Sequence, residues 1–136
     1  MKLITRDTDY AMRALIYAAK EKNKRVNVRD IVKEVKIPRP FLRKIVQLLN
    51  KKGMIKSYKG KGGGFTLARK PNEIYLMDLI EIFQGPFSLN ECFFKRHICP
   101  NSGTCFLNKK ITRIEKHVLR ELRPITIASL LGKEKN

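Results

Sequence analysis

The stretch KIPRPFLRKIVQLLNKKGMIKSYKGKGGGFTLARK, residues 36–70, decides how this chain is read. Phe41, Leu42, Ile45, Val46, Leu48 and Leu49 recur at helical spacing, so a helix is expected from the Lys36-Ile37-Pro38 turn to about Lys52. Pro38 and Pro40 fall where a first helical turn tolerates proline, and Gly53 is the expected stop. Two strand-like pieces follow, Met54–Lys59 and Gly64–Ala68, on either side of Gly60-Lys61-Gly62-Gly63. That pattern is a β-hairpin with a glycine-rich tip. The stretch also carries eleven Lys or Arg and no Asp or Glu, which is eleven of the chain's eighteen net positive charges. A charge run is usually a solvated face. One that spans a helix and a hairpin without any acid is expected to face a polyanion, nucleic acid before membrane.

Upstream, Tyr10, Ala11, Ala14, Leu15, Ala18 and Ala19 mark a first helix from about Thr5 to Lys20. Thr5 is its expected N-cap, and Asp7 and Asp9 suit the positive end of its dipole. Asn27 is expected to cap a short second helix, with Asp30 as a capping-box-like partner and Val28, Ile31, Val32 and Val35 on the inner face. Two helices joined by a tight turn make a helix-turn-helix, and the hairpin behind them a wing. The base-reading candidates are Arg39, Arg43 and Lys44 near the start of the recognition helix and Gln47 one turn on. Lys56, Tyr58, Lys59, Lys61 and Gly62 are the wing candidates: glycines let backbone N–H groups approach phosphates, and the lysines add charge. A nucleotide-cradling reading of this loop fails, because the Lys-Ser/Thr ending of a Walker motif is missing.

Downstream, Ile74, Met77, Leu79, Ile80 and Phe83 mark a fourth helix ended by Gly85-Pro86. Residues 90–106 have no clean period and read as a loop holding all three cysteines: Cys92, Cys99 and Cys105. An odd, clustered set of thiols argues against a disulfide framework and for metal or redox chemistry. Lys95, Arg96 and Lys109 nearby favour thiolates. A structural zinc is disfavoured by the missing short Cys pairs; a thiol switch and unused cysteines stay open. Leu107, Ile111, Ile114, Val118, Leu122 and Ile125 then form a nearly heptad seam on a long helix, expected to dimerise through the first five. Pro124 ends or bends it, Thr126 caps a last helix through Leu131, and Gly132 to Asn136 is a polar tail.

The expected fold class is therefore mainly α with a small β-hairpin wing: a winged helix-turn-helix over residues 1–72, then a linker helix, cysteine loop and long C-terminal dimerisation helix over 73–136. No apolar run is long enough to span a membrane, and MKLITRDTDY lacks the apolar core of a signal peptide, so a cytoplasmic protein is expected. No nucleophile–base pair at usable spacing points to an enzyme. A basic RNA-binding protein is the other reading that the charge allows, and the wing pattern disfavours it.

The run from Tyr58 through Lys59, Gly60, Lys61, Gly62-Gly63-Gly64 and Phe65 to Pro71-Asn72 and Ile80, with Gly85 beyond, resembles the wing-to-linker signature of the Rrf-two family of winged-helix regulators, which includes the IscR and NsrR iron–sulfur sensors. Met1-Lys-Leu-Ile-Thr5, Thr8-Asp9-Tyr10-Ala11, Cys99-Pro100 and Ile125-Thr126-Ile127 extend the resemblance over essentially the whole chain. It implies a homodimer on palindromic double-stranded promoter DNA, with an iron–sulfur cluster on Cys92, Cys99 and Cys105 tuning affinity. A fourth ligand is not obvious. The histidine of the 2Fe–2S pattern is replaced by Asn108, while His97 and His117 sit elsewhere. Asp9 matches the partner-subunit aspartate of the nitric-oxide-sensing relatives, which tilts the expectation toward 4Fe–4S over 2Fe–2S. Its other role, complementing a helix dipole, needs no metal. The implied function is a repressor; the alternative is the same fold without a cluster, answering to thiol oxidation or a small ligand.

Overall fold

The computed structural model describes residues 3–21, 24–89 and 106–134. The elements in chain order are α1 (Arg6–Lys20), α2 (Val28–Val35), α3 (Arg39–Lys51), β1 (Ile55–Tyr58), β2 (Gly64–Leu67), α4 (Leu76–Gln84), α5 (Phe106–Leu122) and α6 (Ile127–Glu134), with a 3-10 turn at Pro71–Glu73 before α4. This is the expected mainly helical chain with one antiparallel hairpin.

Helix α1 is the hub. Its small inner residues, Ala11, Ala14, Ala18 and Ala19, let neighbouring helices approach closely, and α2, α3, α4 and α6 all pack on it. The core runs from Leu15 through Ile31, Leu42, Leu49 and Phe65 to Ile74, Leu79 and Ile127, so one apolar cluster joins the helix-turn-helix, the hairpin, α4 and α6. On α2 only Ile31 is fully buried, while Val28, Val32 and Val35 pack on the cluster from its edge. Burial pushes the Tyr17 phenol of α1 above its ordinary value, and Glu21, Asp30 and Glu34 add to the effect.

Local chemistry sets most of the helix ends. The Asn27 side chain accepts from the Asp30 backbone N–H at 2.8 Å, satisfying one of the donors a helix start leaves open. Lys36 ends α2 in the left-handed region, φ 59° and ψ 41°, and so makes the tight turn into α3 without a glycine. At the end of α3, Met54 N–H reaches the Leu49 carbonyl at 3.0 Å and Gly53 N–H the Asn50 carbonyl at 3.1 Å. Gly53 sits at φ +78°, and buried Met54 packs beside buried Leu49, completing a Schellman stop. Thr126 and Ser129 cap α6 reciprocally, at 3.1 and 2.8 Å. That helix runs to Glu134, so Gly132 to Glu134 continue it where a tail was expected.

Thr5 stands at the N-cap of α1, yet its side chain caps nothing. Gln84, the last residue of α4, draws this end of α1 into a different arrangement. Its Oε1 accepts from Thr8 Oγ1 at 2.7 Å and from Thr5 N–H at 2.9 Å, while its Nε2 donates to the Leu3 carbonyl at 3.2 Å. Thr8 is completely buried there, and the knot ties the start of α1 to the end of α4. A second long-range tie is a short antiparallel bridge, in which Leu76 N–H meets the Ile125 carbonyl and Ile127 N–H the Ile74 carbonyl, both at 3.0 Å. It brings the chain back from α5 onto the core.

Helix α5 stands apart from this packing. Its 17 residues include no buried side chain, and Phe106, Leu107 and Ile114 are exposed. Among the described residues, no helix is long and apolar enough to cross a membrane.

Candidate nucleic-acid interface

The wing is built from the hairpin and a third piece of backbone. Strands β1 and β2 pair from Ile55 with Leu67 to Tyr58 with Gly64. Val26, just before α2, then adds itself to β2 as an antiparallel bridge, exchanging both backbone hydrogen bonds with Phe65 at 2.8 Å. Two features permit this close approach. Gly64 adopts φ +130°, and a Cβ there would lie 2.4 Å from the Val26 carbonyl oxygen. Phe65 turns its ring into the core, 1% exposed, so the hairpin is anchored from beneath.

Arg25 holds the wing tip. Its guanidinium lies 3.9 Å from the centre of the Tyr58 ring and donates to the Gly62 carbonyl at 3.1 Å. One cation thus fixes the end of β1 and the glycine turn to the segment entering α2. Tyr58 and Gly62 are sequence candidates; Arg25 is not. The signal for it is three-dimensional, because 37 positions separate it from Gly62.

Between α2, α3 and the wing lies an open groove of about 590 Å³. Arg39 and Arg43, one helical turn apart on α3, line one wall. Ser57, Tyr58 and the glycines Gly60, Gly62, Gly63 and Gly64 line the other. Arg29, in the first turn of α2, closes the end and was missed from sequence because it falls outside the acid-free stretch. Among the described residues, no Asp or Glu lines the groove. It is cationic on the helix side and rich in backbone groups on the wing side, as suits a backbone polyanion with base edges.

Gln47 is exposed and lies one further turn along the Arg39–Arg43 stripe. Lys56, Lys59 and Lys61 are exposed on the hairpin. Lys44 stands apart: one residue on from Arg43, it points about 100° around the helix. It borders a small cleft with Arg6, Asp7, Phe41 and Phe83 instead of the groove.

Cys92, Cys99 and Cys105 lie outside the described residues, as does His97. Asp9 is in the first turn of α1, ion-paired to Arg13 at 3.0 Å with its side chain one-third exposed. His117 is exposed on α5. In the α5 seam, Leu107 and Ile114 are exposed and Ile111, Val118 and Leu122 are half-buried.

Comparison with known proteins agrees with this geometry. Residues 4–133 match the family described as "Rrf2: Iron-dependent Transcriptional regulator". The chain is 32% identical over 133 residues to the HTH-type transcriptional regulator NsrR of Bacillus licheniformis, covering 96% of this chain and 92% of that one. Among solved structures, the global cysteine regulator CymR of B. subtilis superposes with a TM-score of 0.81 at 23% identity, covering 98% of both chains. IscR of T. potens superposes with a TM-score of 0.77 at 22% identity, over 98% of this chain and 88% of that one. These two structures establish the winged-helix fold.

Proposed function

The chain belongs to the Rrf2 family of transcriptional regulators, and on that premise we propose that it is a homodimeric repressor of promoter DNA whose affinity is set by an iron–sulfur cluster on its cysteine loop. It is a regulator and not an enzyme, as its relatives are. The observation that carries the DNA reading is the acid-free groove between α3 and the wing. A major groove is about 12 Å wide and admits one α-helix. With α3 in it, Arg39 and Arg43 reach base edges near the start of the helix, and Gln47 reaches further along the same stripe. An arginine paired with guanine O6 and N7 discriminates by about 1–3 kcal/mol. The wing then meets the adjacent backbone and minor groove through Lys59, Lys61 and the Gly62 backbone, with Lys56, Tyr58 and Arg29 behind them. Lys44 contributes a phosphate contact from the flank.

The dimer reading rests on α5. A 17-residue helix with a heptad seam has no buried side chain among the described residues, which leaves the seam open to a partner. Leu107, Ile111, Ile114, Val118 and Leu122 meet their counterparts across the two-fold, spacing two α3 helices for a palindrome.

The donor set of the loop fits an iron–sulfur cluster: three clustered thiols, with basic residues close in sequence to lower their pKa. Cys92, Cys99 and Cys105 hold it, and Asp9 of the partner subunit is the fourth donor. Taking that role means exchanging the Arg13 ion pair for iron. When bound, the cluster supplies redox and ligand-exchange chemistry at iron. The loop leads straight into α5, so its conformation bears on the dimer helix and hence on the spacing of the recognition helices. The family's description as iron-dependent supports the same reading. Anaerobic reconstitution with iron and sulfide, followed by metal and sulfide analysis and a visible spectrum, tests it. Bound iron and a visible band are expected, and both are lost in Cys92→Ser. A colourless, iron-free reconstituted protein that still binds DNA overturns the cluster and leaves the DNA reading standing.

A further inference from the structure

A second cavity lies apart from the DNA groove, and the two share no lining residue. It measures about 740 Å³ and lies where the C-terminal end of α1, the foot of the wing, the 3-10 turn and α6 meet. Its floor is apolar, with Ala18 of α1, Leu67 of β2, and Ala128 and Leu131 of α6. Its rim is cationic, with Lys24, Arg69 and Lys70, and among the described residues no Asp or Glu lines it. Asp78 and Glu81 line a separate cleft that Arg69 also borders. Among the described residues, none of the three cations has an ion-pair partner.

This combination selects a ligand class. Small-molecule sites of about 300–1,000 Å³ are mostly apolar, with a few convergent polar groups that fix orientation. A floor of alanine and leucine excludes a free inorganic anion as the best occupant, since it would leave the apolar surface wet. Three unpartnered cations disfavour a neutral apolar molecule, which would leave them unanswered. A stretch of DNA backbone is convex and has no apolar body to fill the floor. We propose that this cavity is a binding site for a small organic anion, a carboxylate or sulfonate carrying a compact apolar body, with Arg69, Lys70 and Lys24 on the anion and Ala18, Ala128 and Leu131 under the body. No residue of the recognition helix lines it.

The test uses the full chain and the fluorescent probe anilinonaphthalene sulfonate, an aromatic anion of this class. Saturable binding of one dye per chain is expected, in protein whose thermal unfolding remains cooperative. The uncharged analogue phenylnaphthylamine should bind about tenfold more weakly or worse, because the charge-assisted contacts are gone. Arg69→Gln with Lys70→Gln, both surface changes, should weaken the dye by a similar factor. Ala128→Trp, which fills the floor, should abolish binding. Lys59→Gln with Lys61→Gln on the wing should leave it unchanged, and Arg39→Ala with Arg43→Ala should lose DNA while keeping the dye. The inference is overturned if the neutral analogue binds as well as the dye. It is overturned equally if the rim substitutions have no effect, or if the wing substitutions have the larger one. Should Ala128→Trp fail to fold, the rim and wing pairs still decide between these outcomes.

Discussion

Replacing Arg25 with lysine keeps the charge and removes the shape that holds the wing tip. The guanidinium stacks on Tyr58 at 3.9 Å and donates to the Gly62 carbonyl at 3.1 Å, and a lysine ammonium has no planar fork to do both at once. Arg25 is exposed, so each contact is weakened by water. The stack is worth about 0.5–1 kcal/mol at such a site. The hydrogen bond adds about 1 kcal/mol. The wing tip is thus held by roughly 1–2 kcal/mol that Arg25→Lys forfeits, which is about 5- to 30-fold in DNA affinity if the tip must be ordered to bind. The net charge is unchanged, so the salt dependence should be too. Removing a phosphate contact behaves differently: Lys61→Ala should reduce the slope of log affinity against log salt by about 0.9. Fluorescence anisotropy with a labelled duplex selected from random sequence, measured at several salt concentrations, separates the two. A lower affinity at constant slope is expected for Arg25→Lys. A full-affinity Arg25→Lys variant, or one whose only change is a shallower slope, would refute the clamp.

Three further substitutions probe other links. Gly64→Ala places a Cβ 2.4 Å from the Val26 carbonyl at φ +130°, so it should lower stability by about 2–4 kcal/mol in thermal or urea unfolding through backbone strain and loss of the Val26–Phe65 pairing; a loss below 0.5 kcal/mol, on the scale of an ordinary surface change, would contradict that placement. Gln84→Leu leaves the fully buried Thr8 hydroxyl without its best acceptor and should cost about 1–3 kcal/mol, with Thr8→Val partly restoring stability in the double variant; strict additivity would show the knot to be inert. Ile114→Asp puts a charge in the proposed α5 seam and should convert the dimer to monomer in sedimentation at micromolar concentration, with the helical content of the remaining fold retained; an unchanged dimer would move the interface elsewhere.

Where chain signals are local, the sequence was enough to read the fold. Asn27, Gly53 and Thr126 stop or start helices through partners three to five residues away, and all three behave as their residue types require. The hairpin follows from β-forming runs around glycines, and the helical period places Leu42, Ile45 and Leu49 in the core. The groove was legible for the same reason, since Arg39 and Arg43 recur at one helical turn. What escaped are contacts made by the fold. Val26 joins β2 across 39 positions and leaves no period in the sequence, and Arg25 beside it looks like one basic residue among many. Gln84 draws Thr5 away from the expected cap: its half-buried amide oxygen accepts from both the Thr5 N–H and the Thr8 hydroxyl, and the Thr5 hydroxyl meets Thr8 Oγ1 instead of a backbone donor. Lys44 is adjacent to Arg43 in sequence but not in direction, a consequence of helical geometry once α1 and α4 are in place. The left-handed Lys36 is another such case: the tight turn demands the conformation, and nothing in Lys-Ile-Pro announces it.

In the proposed function, two copies of α3 and its wing read one face of duplex DNA. Hydroxyl-radical footprinting of the full chain on a selected palindromic duplex measures this directly. Two protected patches centred about 10–10.5 base pairs apart, or a multiple of that, are expected, each flanked by protection of the minor groove where the wing lies. A single patch, or uniform protection without phase, would contradict the account.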